Sequence, residues 1–372
     1  MKISKKLLTF IMALFVTVFA VAFSSTANAE DISYYSYTVK NSTATIKNVD
    51  SSISGDVIVP SVIDGYEVVA IADNAFLNCV NITSIEVPDS VTSIGKGAFN
   101  GVNNLESMTI PFVGSTATSS GINGILGYIF GYTTTETEGT VKQGYSTSTS
   151  TKYCYTYIPE SLKSITVTGS NALPSYAFNN CANIETVVLS NATSIGSNAF
   201  DGCVSLKDFK FPSQLQKIGG YAFRNCVLFK EITVPDSVTS IGLGAFNGIN
   251  NLESITLPFI GSTATSSDRQ GIFGYIFDYE VSEIEGTVPQ LYNYGSYSYC
   301  YIPQTLRKVT ITTDATISSG AFSNCSFLTE INIPDTTTSI GGYAFYNCSN
   351  ISDLDIPDTV TTIGSYAFYN CD

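Results

Sequence analysis

A motif of the form L-x-x-I-x-I-P-x-x-x-x-x-I-G-x-x-A-F-x-x-C returns along most of this chain. Its Ala-Phe pairs end at Phe76, Phe99, Phe178, Phe200, Phe223, Phe246, Phe322, Phe345 and Phe368. Within uninterrupted runs the spacing is 22 or 23 residues. Two longer gaps each hold a degenerate Tyr-Ile-Phe copy, ending at Phe130 and Phe277, which makes about eleven units. A coil of that length cannot cover its own apolar side and is stable only when stacked on its neighbours. The predicted fold class is a repeat solenoid, with short parallel β-strands on one face and turns or 3₁₀ segments on the other.

One unit shows why. In Leu252-Glu253-Ser254-Ile255-Thr256-Leu257-Pro258, apolar residues 255 and 257 alternate with hydroxyls, the period-2 signature of a strand with one buried face. Proline then ends the strand, because it cannot donate to a ladder. The Ile-Gly step predicts a tight corner permitted by glycine. Ala-Phe-x-x-Cys is too short for an independent helix and predicts a single helical or 3₁₀ turn that drops Phe and Cys into the core. A longer period lies on top: Val87 to Tyr132 returns nearly unchanged at Val234 to Tyr279, an offset of 147 that shortens to 144 by Tyr157/Tyr301. A multi-repeat block, insertion included, was duplicated.

On these units, over roughly 58–372, the chain resembles the BspA-like class of leucine-rich repeats, also described from treponemal surface proteins. The resemblance implies a right-handed leucine-rich-repeat coil, a secreted or cell-surface location and extracellular, often adhesive, binding. Ahead of the solenoid, residues 30–57 carry the alternations Tyr35/Tyr37/Val39 and Ala44/Ile46, expected to form a β-rich cap over the first coil.

Residues 1–29 read as a secretory signal peptide. Lys2, Lys5 and Lys6 precede an apolar run from Leu7 to Phe23, and Ala27-Asn28-Ala29 is a small-x-small cleavage site before Glu30. No later stretch reaches the roughly 20 apolar residues that a membrane span needs. Export makes nine cysteines suggest disulfides, but seven of them (Cys79, Cys181, Cys203, Cys226, Cys325, Cys348 and Cys371) sit three residues after the repeat Phe. Val102 and Ile249 fill that slot in other units. A position that accepts Val and Ile is apolar core, where a free thiol packs as a small hydrophobe. Cys154 and Cys300 lie outside the slot, one per insertion, and are the candidates for redox or pairing chemistry.

The chain holds no His, which excludes Ser-His and Cys-His catalytic pairs and imidazole metal sites. A net charge of -14 argues against nucleic acid as a partner. Ser93-Ile94-Gly95-Lys96 spells an acyl-transfer S-x-x-K motif, yet its duplicate reads Ser240-Ile241-Gly242-Leu243, so Ser93 is read as scaffold. No catalytic, cofactor-binding or metal-binding residue is assigned. The outward strand positions form a hydroxyl ladder with sparse acids, from Ser107/Thr109 through Ser254/Thr256 to Asp353/Asp355.

The insertions, about 112–156 and 259–300, are rich in Ser, Thr, Gly and Tyr, and solenoid insertions commonly carry the binding face. Tyrosine among small polar residues supplies rigid contact area. The candidate ligand-binding residues are therefore Tyr132, Tyr145, Tyr153 and Tyr155 in the first insertion, and Tyr279, Tyr292, Tyr294, Tyr297 and Tyr299 in the second. The expected function is a non-enzymatic extracellular binding or adhesion scaffold for a protein or glycan partner, without membrane insertion after signal cleavage. The alternative is an extracellular hydrolase, or a substrate-presenting part of a degradative system, using an unlocated carboxylate pair.

Overall fold

The computed structural model describes residues 31–131, 138–146, 153–169, 172–207, 209–280, 285–293, 297–352 and 354–371; residues 1–29, expected as a signal peptide, lie outside them. The chain winds about 12 turns of about 23 residues with almost no helix, and each turn has three sides. On the first side, strands such as Ser107–Ile110, Ser164–Val167 and Thr186–Leu189 pair in parallel register, Ser107 opposite Ser164 and Ser164 opposite Thr186. Burial alternates as the sequence predicts: Ile255 and Leu257 are buried, Ser254 and Thr256 half-buried.

The second side carries the Ile-Gly step. Two-residue strands Ser194–Ile195, Lys217–Ile218 and Ser240–Ile241 stack in parallel. The glycine after each is required for a reason other than the expected corner. Gly196, Gly219 and Gly242 are not in the left-handed region, but a Cβ on any of them would drive into the backbone of the preceding coil, at Ser175, Ser197 and Gly220 respectively. Glycine lets one coil settle against the next.

The third side is the Ala-Phe turn. It forms isolated turns, Cys79 N–H donating to the Phe76 carbonyl at 3.2 Å, interleaved with a ladder between coils. Phe178 N–H donates to the Ala199 carbonyl at 2.7 Å, Phe200 to Ala222 at 2.7 Å and Phe322 to Ala344 at 2.7 Å. A continuing helix would direct those amides back along its own axis. Two left-handed residues flank each Phe, two positions before and two after: Asn74 and Asn78, Asn198 and Gly202, Tyr343 and Asn347. They bend each turn so that its amides face the next coil.

The phenylalanines form the core. Phe178, Phe200 and Phe223 stack with centroids 5.2 and 5.1 Å apart, and Phe322, Phe345 and Phe368 at 5.5 and 5.2 Å. All the repeat Phe residues are fully buried except Phe368, which is half-buried in the last coil. At the other end, Tyr35–Lys40 runs antiparallel to Thr43–Val49, which pairs in parallel with Tyr66–Ile71. The Tyr35 ring meets Phe76 edge-on at 6.3 Å, so this segment lies over the first coil.

The slot cysteines are buried from Cys79 to Cys348 and half-buried at Cys371. Burial raises the thiols from Cys79 to Cys348, Cys79 to about 11 and Cys348 to about 12. Four of them also donate to the preceding coil, Cys203, Cys226, Cys348 and Cys371: Cys203 Sγ lies 3.1 Å from the Phe178 carbonyl and Cys348 Sγ 3.1 Å from that of Phe322. A thiol fills the volume of Val while supplying a weak donor.

Candidate binding surfaces

The strand face is the first candidate. Its hydroxyl ladder is crossed by ion pairs between coils, Glu185 with Lys207 at 2.8 Å, Glu253 with Lys230 at 3.5 Å and Glu330 with Lys308 at 2.7 Å. Hydrogen bonds from the lysines hold Glu185 and Glu330 below the usual carboxylate range, but pairs this exposed add little stability. They set three acids against three lysines on the face. Asp353 lies outside the described residues and Asp355 is exposed.

The insertions are built differently from a simple projection. Phe112, Val113, Ile125, Leu126, Ile129 and Phe130 are buried in the core, as are Phe259, Ile260, Ile272, Phe273, Ile276 and Phe277. The first part of each insertion is thus a true coil, and the degenerate Tyr-Ile-Phe turn keeps its place in the ladder. Phe99 N–H donates to the Ile129 carbonyl at 2.8 Å, and Leu126 N–H donates onward to Ala177 at 2.8 Å; in the second copy the pairs are Phe246 to Ile276 at 2.9 Å and Phe273 to Ala321 at 2.9 Å. Only after this turn does the chain leave as a hairpin, Thr140–Ser146 with Tyr153–Pro159, or Thr287–Asn293 with Tyr297–Pro303.

Each hairpin is pinned by a buried glutamine that the sequence reading passed over. Gln143 accepts from Gly127 N–H at 2.6 Å and donates to the Ala177 carbonyl at 3.1 Å. Gln290 does the same with Gly274 at 2.7 Å and Ala321 at 2.9 Å. A usable signal existed: this glutamine keeps the 147 offset while its neighbours change from Val-Lys-Gln-Gly to Val-Pro-Gln-Leu. Beside it lies Thr156 in the first hairpin and Cys300 in the second, both fully buried. Cys300 is therefore a correction to the expectation of redox chemistry. Desolvation pushes its thiol well up, so the nucleophilic thiolate is suppressed. The side chain of Cys154 lies outside what is described.

The strand register places the described candidate tyrosines along the two hairpins. Tyr145 lies across the first hairpin from Cys154, Tyr153 from Ser146 and Tyr155 from Gly144. In the second, Tyr279 pairs with Cys300, Tyr292 with Ser298, Tyr297 with Asn293 and Tyr299 with Leu291. Tyr299 is half-buried, its ring 6.3 Å from Tyr301. Tyr132 and Tyr294 lie outside the described residues.

Among the described residues, an aromatic surface lies on the last two Ala-Phe turns. Tyr343 stacks on Tyr366 at 5.2 Å and Tyr346 on Tyr369 at 5.2 Å, while Tyr343–Tyr346 and Tyr366–Tyr369 lie 5.5 and 5.9 Å apart. Three of these rings are about half exposed, Tyr343 at 47%, Tyr366 at 56% and Tyr369 at 55%, a wide aromatic face for a surface turn. Tyr343 and Tyr366 hold left-handed backbone, φ 57° and 59°, which is rare for a bulky residue. The ladder over-determines it: Tyr343 N–H donates to the Ser365 carbonyl at 3.0 Å. Sequence reasoning missed this array because the positions beside each Phe looked like turn filler.

Two carboxylates are buried outside these surfaces. Asp201 takes both Arg224 Nε at 2.8 Å and Nη2 at 2.5 Å, and Arg224 lies over the Tyr221 ring at 5.2 Å; this staples adjacent coils. Asp314 accepts from Ile260 N–H at 3.1 Å, and burial raises its pKa to about 6. Ser93 and Lys96 belong to the scaffold, with Lys96 N–H bonded to the Asp73 carboxylate at 2.8 Å.

Residues 69–191, 171–270 and 292–372 match the BspA type Leucine rich repeat region, in six copies. A solved leucine-rich repeat protein from Bacteroides ovatus ATCC 8483 is 20% identical, with 91% of this chain and 90% of that one covered and a TM-score of 0.33. A leucine rich cell surface protein from Faecalibacterium prausnitzii A2-165 is 20% identical over 94% and 93% of the two chains, TM-score 0.33. The leucine rich repeat protein of T. pallidum is 18% identical over 92% and 88%, TM-score 0.22. No curated protein matches the chain.

Proposed function

The chain belongs to the BspA-type leucine-rich repeat family, and we propose that it is a non-enzymatic binding scaffold that acts outside the cell, on a protein or glycan partner. The leader-like residues 1–29 support export. The observation that carries the binding role is the array of Tyr343, Tyr346, Tyr366 and Tyr369. These rings are held in two stacked columns on a rigid ladder, with Tyr343, Tyr366 and Tyr369 about half exposed. Tyrosine is favoured at recognition sites because it offers large contact area with few rotatable bonds. A rod of stacked coils keeps such an array pre-organised, so binding orders little.

The test uses purified chain from Glu30 onward, screened by biolayer interferometry against immobilised extracellular matrix proteins and a glycan panel. Saturable binding to at least one surface is expected. Turnover of any substrate that a single carboxylate substitution abolishes would reverse the reading in favour of a hydrolase.

A further inference from the structure

The tyrosine columns stop abruptly, and the stop makes a slot. In the coil of Phe322 the two column positions are Gly320 and Ser323. At Gly320, with φ 69°, a Cβ would meet nothing within 4 Å. One rung of the stack is therefore missing, a gap of about one coil spacing or 4.8 Å. The free faces of Tyr343 and Tyr346 wall it on one side and the insertion loop at Thr265–Asp268 on the other, enclosing a cavity of about 860 Å³, within the range of small-ligand sites. Ile272 helps close the base, while Ser319, Ser323 and Asn324 line the floor.

We infer that this slot binds a sugar ring of a neutral glycan; the assignment rests on the binding-scaffold reading above. A pyranose is a ring-thick disc with an apolar C–H face and a rim of hydroxyls, and each part has a counterpart here. The exposed Tyr343 ring and the half-buried Tyr346 ring take the C–H face. Serine hydroxyls and the Asn324 amide meet the rim, and the exposed Asp268 carboxylate accepts from two vicinal hydroxyls. No Lys or Arg lines the cavity among the described residues, and the chain carries -14 overall, so an anionic ligand finds no counter-charge. The duplicated block supplies a natural contrast: at the 144 offset, Tyr176 stands in place of Gly320, with φ 65°, and one coil on, where the offset is 145, Asn198 and Asp201 stand in place of Tyr343 and Tyr346. The first block thus lacks both the gap and its aromatic wall.

Filling the missing rung provides the experiment. Gly320→Tyr extends the column with a residue that the same backbone position already accepts at Tyr176, Tyr221, Tyr343 and Tyr366, so the coil keeps its fold; circular dichroism and thermal unfolding verify this. Isothermal titration is run with chitohexaose, cellohexaose and maltohexaose, with a tyrosine-rich peptide and with the matrix protein best retained in the screen. At least one oligosaccharide should bind, Gly320→Tyr and Tyr343→Ala should each weaken it roughly tenfold or more, about 1.4 kcal/mol, and Tyr343→Phe should retain most of the affinity. Sugar binding unchanged by Gly320→Tyr overturns the slot assignment. Binding of the peptide alone, lost in Gly320→Tyr, overturns the glycan assignment. Retention of a matrix protein by native and Gly320→Tyr chains alike, with no sugar bound, overturns the slot while leaving the scaffold reading in place.

Discussion

The two duplicated insertion blocks began as one sequence, and their differences separate what the coil needs from what it can vary. Both keep the glutamine that bridges Gly127 to Ala177 or Gly274 to Ala321. Both also keep a hydroxyl bridge that closes the coil over the insertion: Ser161 to the Leu105 carbonyl at 2.7 Å and Thr305 to Leu252 at 2.7 Å. These groups satisfy buried backbone that a lengthened coil would otherwise orphan. Around them the blocks diverge. Thr156 becomes Cys300, Leu126 becomes Phe273, Ser170 becomes Asp314, and Tyr176 becomes Gly320. Anchors were retained after duplication while packing details and the outer surface drifted.

The glutamines give the strongest way to break the comparison. Gln143→Ala and Gln290→Ala should each cost about 2–4 kcal/mol, because each strands a buried N–H and a buried carbonyl and leaves a cavity. Equal losses in urea unfolding are expected; a silent substitution in either block would show that its hairpin is not pinned this way. Asp314 should separate the blocks by pH. Its native pKa of about 6 lies above the roughly 3.9 of an unfolded Asp, so the folded state holds the extra proton. The resulting stabilisation is complete below about pH 4 and is lost as pH rises through 6. Asp314→Asn should flatten that fall and gain on the order of 2 kcal/mol at pH 7, read from thermal unfolding across pH 4–8.

Smaller effects test the buried Thr/Cys exchange. The Thr156 hydroxyl has no hydrogen-bond partner, so Thr156→Val should stabilise the chain by about 1 kcal/mol. A loss would mean the hydroxyl is satisfied. Cys300→Thr, which restores the other block's residue, should cost under about 1 kcal/mol. It should also leave thiol labelling of the folded protein unchanged, since the Cys300 sulfur is inaccessible.

Much of the architecture was legible because periodicity is a direct record of packing. Ile-x-Ile, Ala-Phe and the Cys slot mark side chains that meet their equivalents one coil away, so Phe200 and Cys203 could be placed in the core from spacing alone. The turn beside Phe200, expected as a single helical or 3₁₀ turn, is an isolated turn closed by Cys203 N–H on the Phe200 carbonyl at 3.1 Å, and its left-handed residues, Asn198 and Gly202, carry a local signal weaker than the ladder that uses them. The candidate surface was scarcely legible. Tyrosines in the insertions stood out by composition, whereas Tyr343, Tyr346, Tyr366 and Tyr369 are unremarkable in sequence and form an array only because stacked coils bring their ring centroids to 5.2 Å.

The amino-acid sequence by itself determined that this chain must coil, how often, and which side of each coil faces inward, since a 23-residue unit has one way to hide its apolar face. Only the tertiary structure decided why Gly219 admits no Cβ, how Gln143 and Gln290 splice the insertions into the ladder, and where the tyrosine columns leave a rung empty. Those features depend on contacts between residues one or more coils apart, and such contacts exist only once neighbouring coils are pressed together.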